Sequence, residues 1–177
     1  KIGGVIQLFL ASGLREDGWF ESFNTKRSID KNGNPIPWCT YSFIKFIEPR
    51  LKKDFKVFEY GSGNSTLWYA NRVIYVKCVE HDQNWFNKNK HLYPVNVNAV
   101  IRPFNNDESY ANEINADDTK YDIVIIDGVD RNNCVTLSLN KLTENGVIIY
   151  DNTQVPDYKP SIEFLLQSGF KKLDLDG

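Results

Sequence analysis

The chain has 177 residues, a net charge of -2 and 41% hydrophobic residues. That length accommodates one domain with a sizeable core. Its Lys and Arg residues are dispersed, so the basic stripe that nucleic acids demand is missing and no nucleic-acid partner is expected. The longest apolar runs, such as 123–126 and 147–150, are too short to span a membrane, and the N-terminus carries no signal-peptide pattern. Cys39, Cys78 and Cys134 are widely spaced and odd in number. They fit neither a zinc site nor a disulfide framework and read as free thiols of a cytoplasmic protein. A chain that lacks Met and begins at Lys1 is expected to be part of a longer product.

In chain order, residues 1–36 show weak periodicity and read as an N-terminal extension or lid, with a short helix over 5–14. The cluster Asp30-Lys31-Asn32-Gly33-Asn34-Pro35 is a turn. Pro37 and Trp38 lead to Thr40, an N-cap, and Phe43, Ile44, Phe46 and Ile47 follow at helical spacing until Pro49. Trp38 and Tyr41 suit either an aromatic lid or ordinary packing.

From there strands and helices alternate. Strands are predicted near 56–60, 73–79, 95–101, 122–127, 146–151 and 170–175, and helices near 65–71, 83–91, 108–116, 132–143 and 159–168. The strands are continuous apolar runs, as in a parallel sheet covered on both faces. Gly146 and Gly169 are expected as left-handed residues at helix C-termini. The fold class is therefore α/β, a doubly wound, Rossmann-like, mostly parallel sheet of about six strands. Ligands of such sheets bind at the carboxyl ends of the strands, here the loops 59–66, 80–82, 102–106, 127–131 and 151–153.

The first of these loops reads Glu59-Tyr60-Gly61-Ser62-Gly63-Asn64-Ser65-Thr66. Its glycines permit a tight turn and close approach to a ligand. A carboxylate ending the next strand, Glu80, can take both ribose hydroxyls. Dinucleotide sites want a third glycine where this chain has Thr66. Glu59 puts a negative charge at the loop's mouth, unfavourable beside a diphosphate and favourable beside an ammonium or sulfonium.

Glu59-x-Gly61-x-Gly63, the acidic Glu80 and Asp127 after strand four resemble class I S-adenosylmethionine-dependent methyltransferases. Pro37-Trp38, Phe58 through Thr66 and Val79-Glu80-His81-Asp82 are similar to a bacterial subgroup of that superfamily with poorly defined substrates. The resemblance covers roughly 37–175, so 37–177 is expected to be the cofactor-binding domain; the family usually adds a final antiparallel strand beyond the sixth, and whether this protein has one is left open. It implies a cofactor-binding set of Glu59, Tyr60, Gly61, Ser62, Gly63, Asn64, Ser65, Thr66, Glu80, His81 and Asp127. Glu59 and the backbone around Gly61 and Gly63 would hold the methionine moiety and Glu80 the ribose. His81 or the 102–106 loop would lie against adenine.

Asp127 and the pair Asp151-Asn152 end neighbouring strands and are hard ligands suited to Mg²⁺ or Ca²⁺. That arrangement resembles the catechol and caffeoyl-coenzyme A O-methyltransferases, in which the corresponding residues bind a divalent cation. Those enzymes carry a Lys base shortly after the strand-four aspartate. This chain has Arg131, which cannot act as a base at neutral pH and could hold an anionic group instead. A metal-free alternative has Asp127 orienting cofactor or substrate, with Asp151 and Asn152 as caps.

The reading is an S-adenosylmethionine-dependent methyltransferase acting on an oxygen of a small molecule or glycan precursor. Its catalytic residues would be Asp127 and Arg131. Competing readings are an NAD-dependent oxidoreductase and a non-enzymatic binding module of the same fold.

Overall fold

The computed structural model describes residues 2–105 and 109–175. Three short helices, α1 (Ile2–Leu10), α2 (Gly13–Asp17) and α3 (Trp19–Thr25), form the extension. An antiparallel bridge between Ile29 and Pro35 closes the turn that follows, where the Asp30 carboxylate accepts the Asn32 and Asn34 amides. α4 (Tyr41–Ile47) starts at Thr40, whose hydroxyl accepts the Phe43 amide at 3.3 Å, and passes into a 3₁₀ turn that contains Pro49.

The remaining elements alternate: β1 (Lys56–Tyr60), α5 (Asn64–Ala70), β2 (Tyr75–Glu80), α6 (Gln83–Asn89), β3 (Val97–Ile101), β4 (Tyr121–Ile126), α7 (Arg131–Ser138), β5 (Leu142–Tyr150) and α8 (Lys159–Gln167). The five strands pair in parallel in the order β3-β2-β1-β4-β5. The connections run outward in opposite directions from β1 and β4, and that switch point opens a crevice at their carboxyl ends.

Successive side chains on a strand face opposite ways, so a strand covered on both faces must be apolar throughout. On one face Val57, Val76, Ile123 and Ile125 pack against Ile44 and Ile47 of α4 and Trp68 and Tyr69 of α5. On the other, Phe58, Tyr60, Val124 and Ile126 pack against Tyr110, Ile114, Cys134 and Val135. Cys78 is buried within β2, as a small hydrophobe should be. Among the described residues no helix is long and apolar enough to cross a membrane.

Four expectations change. Residues 170–175 form no strand, because Lys171, Lys172 and Asp174 interrupt the apolar pattern and Leu173 stays 64% exposed. The sheet therefore has five strands rather than six. The tail instead returns to the sheet's first helix, where the Leu175 carbonyl accepts the Thr40 hydroxyl at 3.2 Å. The helix expected to 143 stops at Ser138, and β5 begins at Leu142. Its register against β4 slips between Tyr121 and Ile123. Gly146 lies within that irregular stretch of β5, not at a helix end, and a Cβ there would stand 3.0 Å from the Tyr121 carbonyl. Gly169 is left-handed as expected, with φ +91°. Of the helix expected over 108–116, residue 108 lies outside the described residues, and a 3₁₀ turn spans Ala111–Asn115.

Lys77, in the middle of β2, is buried with its ammonium 3.0 Å from both Glu113 and Asp117. Arg102 reaches the other Glu113 oxygen at 2.9 Å. A buried charge persists only when paired, and this network pins the 3₁₀ turn to the sheet.

Candidate active site at the strand ends

β1 delivers Glu59 on the face covered by α5, not at the mouth of the loop. The residue is 1% exposed, and its carboxyl group accepts hydrogen bonds from the Ser65 and Thr66 hydroxyls in the first turn of α5. Burial pushes its pKa up to about 8 against the pull of those two bonds, with the Asp127 and Glu80 charges adding to the rise. The exposed charge expected at the loop is therefore a buried, largely protonated acid at neutral pH. Thr66, where a third glycine would stand, is fully buried and also accepts the Gly63 amide at 3.0 Å.

Gly61 adopts φ +101°, and a Cβ there would meet the Asp127 carbonyl at 3.2 Å, so glycine is required by both conformation and space. Tyr60 does not line the site. Its ring is fully buried on the opposite face, where its hydroxyl donates to the Ala111 carbonyl at 2.7 Å. Asn64 reaches back to the extension, its amide donating to the Ser28 carbonyl at 2.6 Å.

Glu80 is 4% exposed at the end of β2. One oxygen accepts the backbone amides of His81 and Asp82 at 2.8 and 2.9 Å, and the other accepts the Ser62 hydroxyl at 2.8 Å. The carboxylate is thereby oriented across the glycine loop. Asp82 instead caps α6, accepting the Asn84 and Trp85 amides. His81 is partly exposed, with Nδ1 3.0 Å from Glu80. Of the 102–106 loop, Arg102 is tied to Glu113, and Asn106 lies outside the described residues.

Asp127 and Asp151 do meet, at the ends of β4 and β5, their carboxyl groups within hydrogen-bonding reach of each other and Arg131 beside both. The guanidinium donates to Asp127 Oδ1 at 3.2 Å, to the Gly128 carbonyl at 2.9 Å and to the Asp151 carbonyl at 2.6 Å. Burial and the facing Asp151 charge push the Asp127 pKa up to about 7, against the pull of Arg131. Asn152 is left-handed, with φ +56°, and exposed beyond this cluster.

The residues therefore do not fit a divalent cation, because the two carboxyl groups already meet each other and a fixed guanidinium. Among the described residues, no group of three or more His, Cys, Asp or Glu side chains could hold a metal ion. Arg131 is 9% exposed and commits three of its N–H donors to the protein, which makes it a fixed group of the site.

Several neighbours of the site were not evident in the sequence. Trp85 donates its indole N–H to the Ser62 carbonyl at 2.8 Å. Tyr110 brings its buried hydroxyl against Gly128, where a Cβ would lie 1.9 Å from it, so Gly128 is a close-approach glycine. Cys39 stands near Asp127 and Asp151, and burial with those charges pushes its thiol up, so it stays protonated. Trp38 is 65% exposed, while Tyr41 packs against the α4–α5 core.

No protein-family model matches the sequence, and neither does any curated protein. Solved structures do. One is described as a precorrin 8W decarboxylase from Methanobacterium thermoautotrophicum, with TM-score 0.61 and 17% identity over 83% of this chain and 80% of that one. Another is described as a precorrin-6y C5,15-methyltransferase from Geobacter metallireducens, with TM-score 0.61 and 16% identity over 84% and 79%. A third is described as an rRNA methylase from Streptococcus thermophilus, with TM-score 0.52 and 15% identity over 72% and 76%. At these identities the likeness establishes the fold, a Rossmann-like parallel α/β sheet shared with proteins described as methyltransferases.

Proposed function

We propose that this chain is an S-adenosylmethionine-dependent methyltransferase acting on an oxygen of a small molecule or glycan precursor. The observation that carries the reading is the oriented, buried Glu80 carboxylate facing the Gly61–Gly63 turn through Ser62. A ribose diol can replace the Ser62 hydroxyl on that carboxylate while the two amides keep it in place. Glycine at 61 lets the loop turn tightly against the Asp127 carbonyl, which keeps the Glu80 and Asp127 strand ends together. The bound cofactor would supply an electrophilic methyl group on a sulfonium.

Asp127 sits at the β4 end, where an acceptor would approach. A carboxylate poised near neutrality is matched to removing a hydroxyl proton as the oxygen takes the methyl group. Arg131 fixes that carboxylate against the Gly128 and Asp151 carbonyls and is a positioning residue. Positioning of donor and acceptor supplies most of the remaining rate. The neighbouring folds described as acting on corrinoid precursors and on rRNA do not select the acceptor. The competing NAD reading needs a small residue at 66, where buried Thr66 makes two hydrogen bonds.

Titration calorimetry with S-adenosylmethionine, S-adenosylhomocysteine and NAD tests the proposal. Binding of the first two without NAD is expected, and NAD binding alone would reverse the assignment.

A further inference from the structure

The N-terminal extension holds an apolar helix out in water. α1 contains no charged residue, Gln7 is its one polar side chain, and none of its residues is buried. Ile2, Val5, Ile6, Leu8, Phe9 and Leu10 stand between 44% and 78% exposed. The helix is anchored at its C-terminal end, where Phe9 stacks on Phe20 at 4.4 Å and the Arg15 guanidinium donates to the Leu10 carbonyl at 2.9 Å. The row of rings continues from there: Trp19 meets Phe20 edge-on at 5.2 Å and stacks on Phe23 at 5.1 Å. Trp19 and Phe23 are exposed in turn, so one apolar patch runs from α1 onto α3. A helix apolar on all sides belongs in an interior.

We propose that this α1–α3 face is the interface of a homodimer, in which each copy covers the other's α1. The area fits. The eight exposed side chains offer on the order of 1,000 Å² of apolar surface, more than the roughly 300–600 Å² of a monomer's largest patch and enough for the ~800 Å² that each partner gives a stable interface. The charges also favour a second copy over a membrane. A helix lying on lipid keeps a strongly polar face towards water, and α1 has none. Residues 12–31 carry four basic and four acidic side chains, and Glu16 pairs with Lys31 and Asp17 with Lys45, so the border holds no positive excess for anionic lipid. In a two-fold interface the same patch lies on both sides and must not repel itself. An uncharged patch with a border of mixed sign meets that condition and offers a different partner no charge pattern to recognise. Dimerisation through this face is independent of what the strand ends bind.

Sedimentation equilibrium of the 177-residue chain tests the proposal at about 10 μM, above the dissociation constants expected of interfaces this size. Wild type is expected at twice the chain mass. Val5→Glu with Phe9→Glu puts charges in the centre of the face and should raise the dimer dissociation constant at least tenfold. Its circular dichroism spectrum should stay that of wild type, since both side chains are exposed in the single chain. Phe23→Ser, on α3, should weaken the dimer in the same direction. If the double variant loses helix signal, Leu10→Lys carries the same test. A wild-type chain that stays monomeric at that concentration overturns the proposal, as does a dimer that none of these variants weakens. Co-sedimentation with phosphatidylcholine–phosphatidylglycerol vesicles covers the other occupant. Wild type is expected to stay in the supernatant, and monomers that bind vesicles and lose that binding in the double variant would assign the face to a membrane instead.

Discussion

Thr66 couples Glu59 to the glycine loop: its hydroxyl donates to Glu59 Oε2 at 2.5 Å and accepts the Gly63 amide at 3.0 Å. The residue that departs from the dinucleotide pattern is therefore what fixes the loop. Thr66→Val keeps the shape and removes both bonds, leaving a buried amide and a carboxyl oxygen each short of a partner. Unpaired buried groups cost about 1–3 kcal/mol each. Denaturant unfolding should show a loss of that order, and S-adenosylhomocysteine affinity should fall with it. An unchanged unfolding midpoint would remove Thr66 from this role.

Glu59 makes stability depend on pH. Its pKa is raised from 4.5 unfolded to about 8 folded, so between those values the folded chain holds a proton that the unfolded chain releases. The contribution is whole below the unfolded value and is lost as pH climbs through the folded one. Glu59→Gln cannot ionise. It should match wild type near pH 4 and become the more stable of the two on the alkaline side, by an order of a few kcal/mol at about 1.4 kcal/mol per pKa unit. Urea unfolding across that range measures the gap. A pH-independent difference would mean that Glu59 is not buried as a neutral acid.

Asp127→Asn should keep S-adenosylhomocysteine binding and lower turnover by about 10²–10⁴-fold, the contribution of a general base. In wild type, activity should fall as pH drops through about 7, where Asp127 takes up its proton. A rate profile flat across neutral pH would exclude Asp127 as the base.

The strands around the site were legible because short continuous apolar runs bounded by turn residues suit the interior of a parallel sheet. β1 falls at the predicted residues, and β2 and β4 lie within two residues of theirs. The start of β5 was hidden by the register slip, since Thr143, Glu144 and Asn145 look nothing like a buried strand. In the site, Glu80, Gly61 and Asp127 could be found from their places after strands. The inward direction of Glu59 follows from alternation with Val57 once α5 is known to cover that face, but its hydroxyl partners depend on helix geometry. Tyr110 meets Gly128 across a 3₁₀ turn fixed by the Lys77–Glu113 pair, and no spacing rule reports such a long-range contact.

Trp85 holds the Ser62 carbonyl from outside the loop while Glu80 holds the Ser62 hydroxyl from within. Trp85→Phe keeps an aromatic ring, though a smaller one, and loses the donor. One neutral hydrogen bond is worth about 1 kcal/mol, so S-adenosylhomocysteine affinity should drop roughly fivefold. Melting should change little. Calorimetry on both proteins decides it, and equal affinities would make the contact incidental.

The most direct test of where the ligand binds is hydrogen–deuterium exchange of the free protein against the protein saturated with S-adenosylhomocysteine. The account predicts slowed exchange at the amides of 61–66 and 80–82, with Glu80→Gln suppressing the effect by weakening binding. Protection confined to other parts of the chain, with these two loops unchanged, would contradict it.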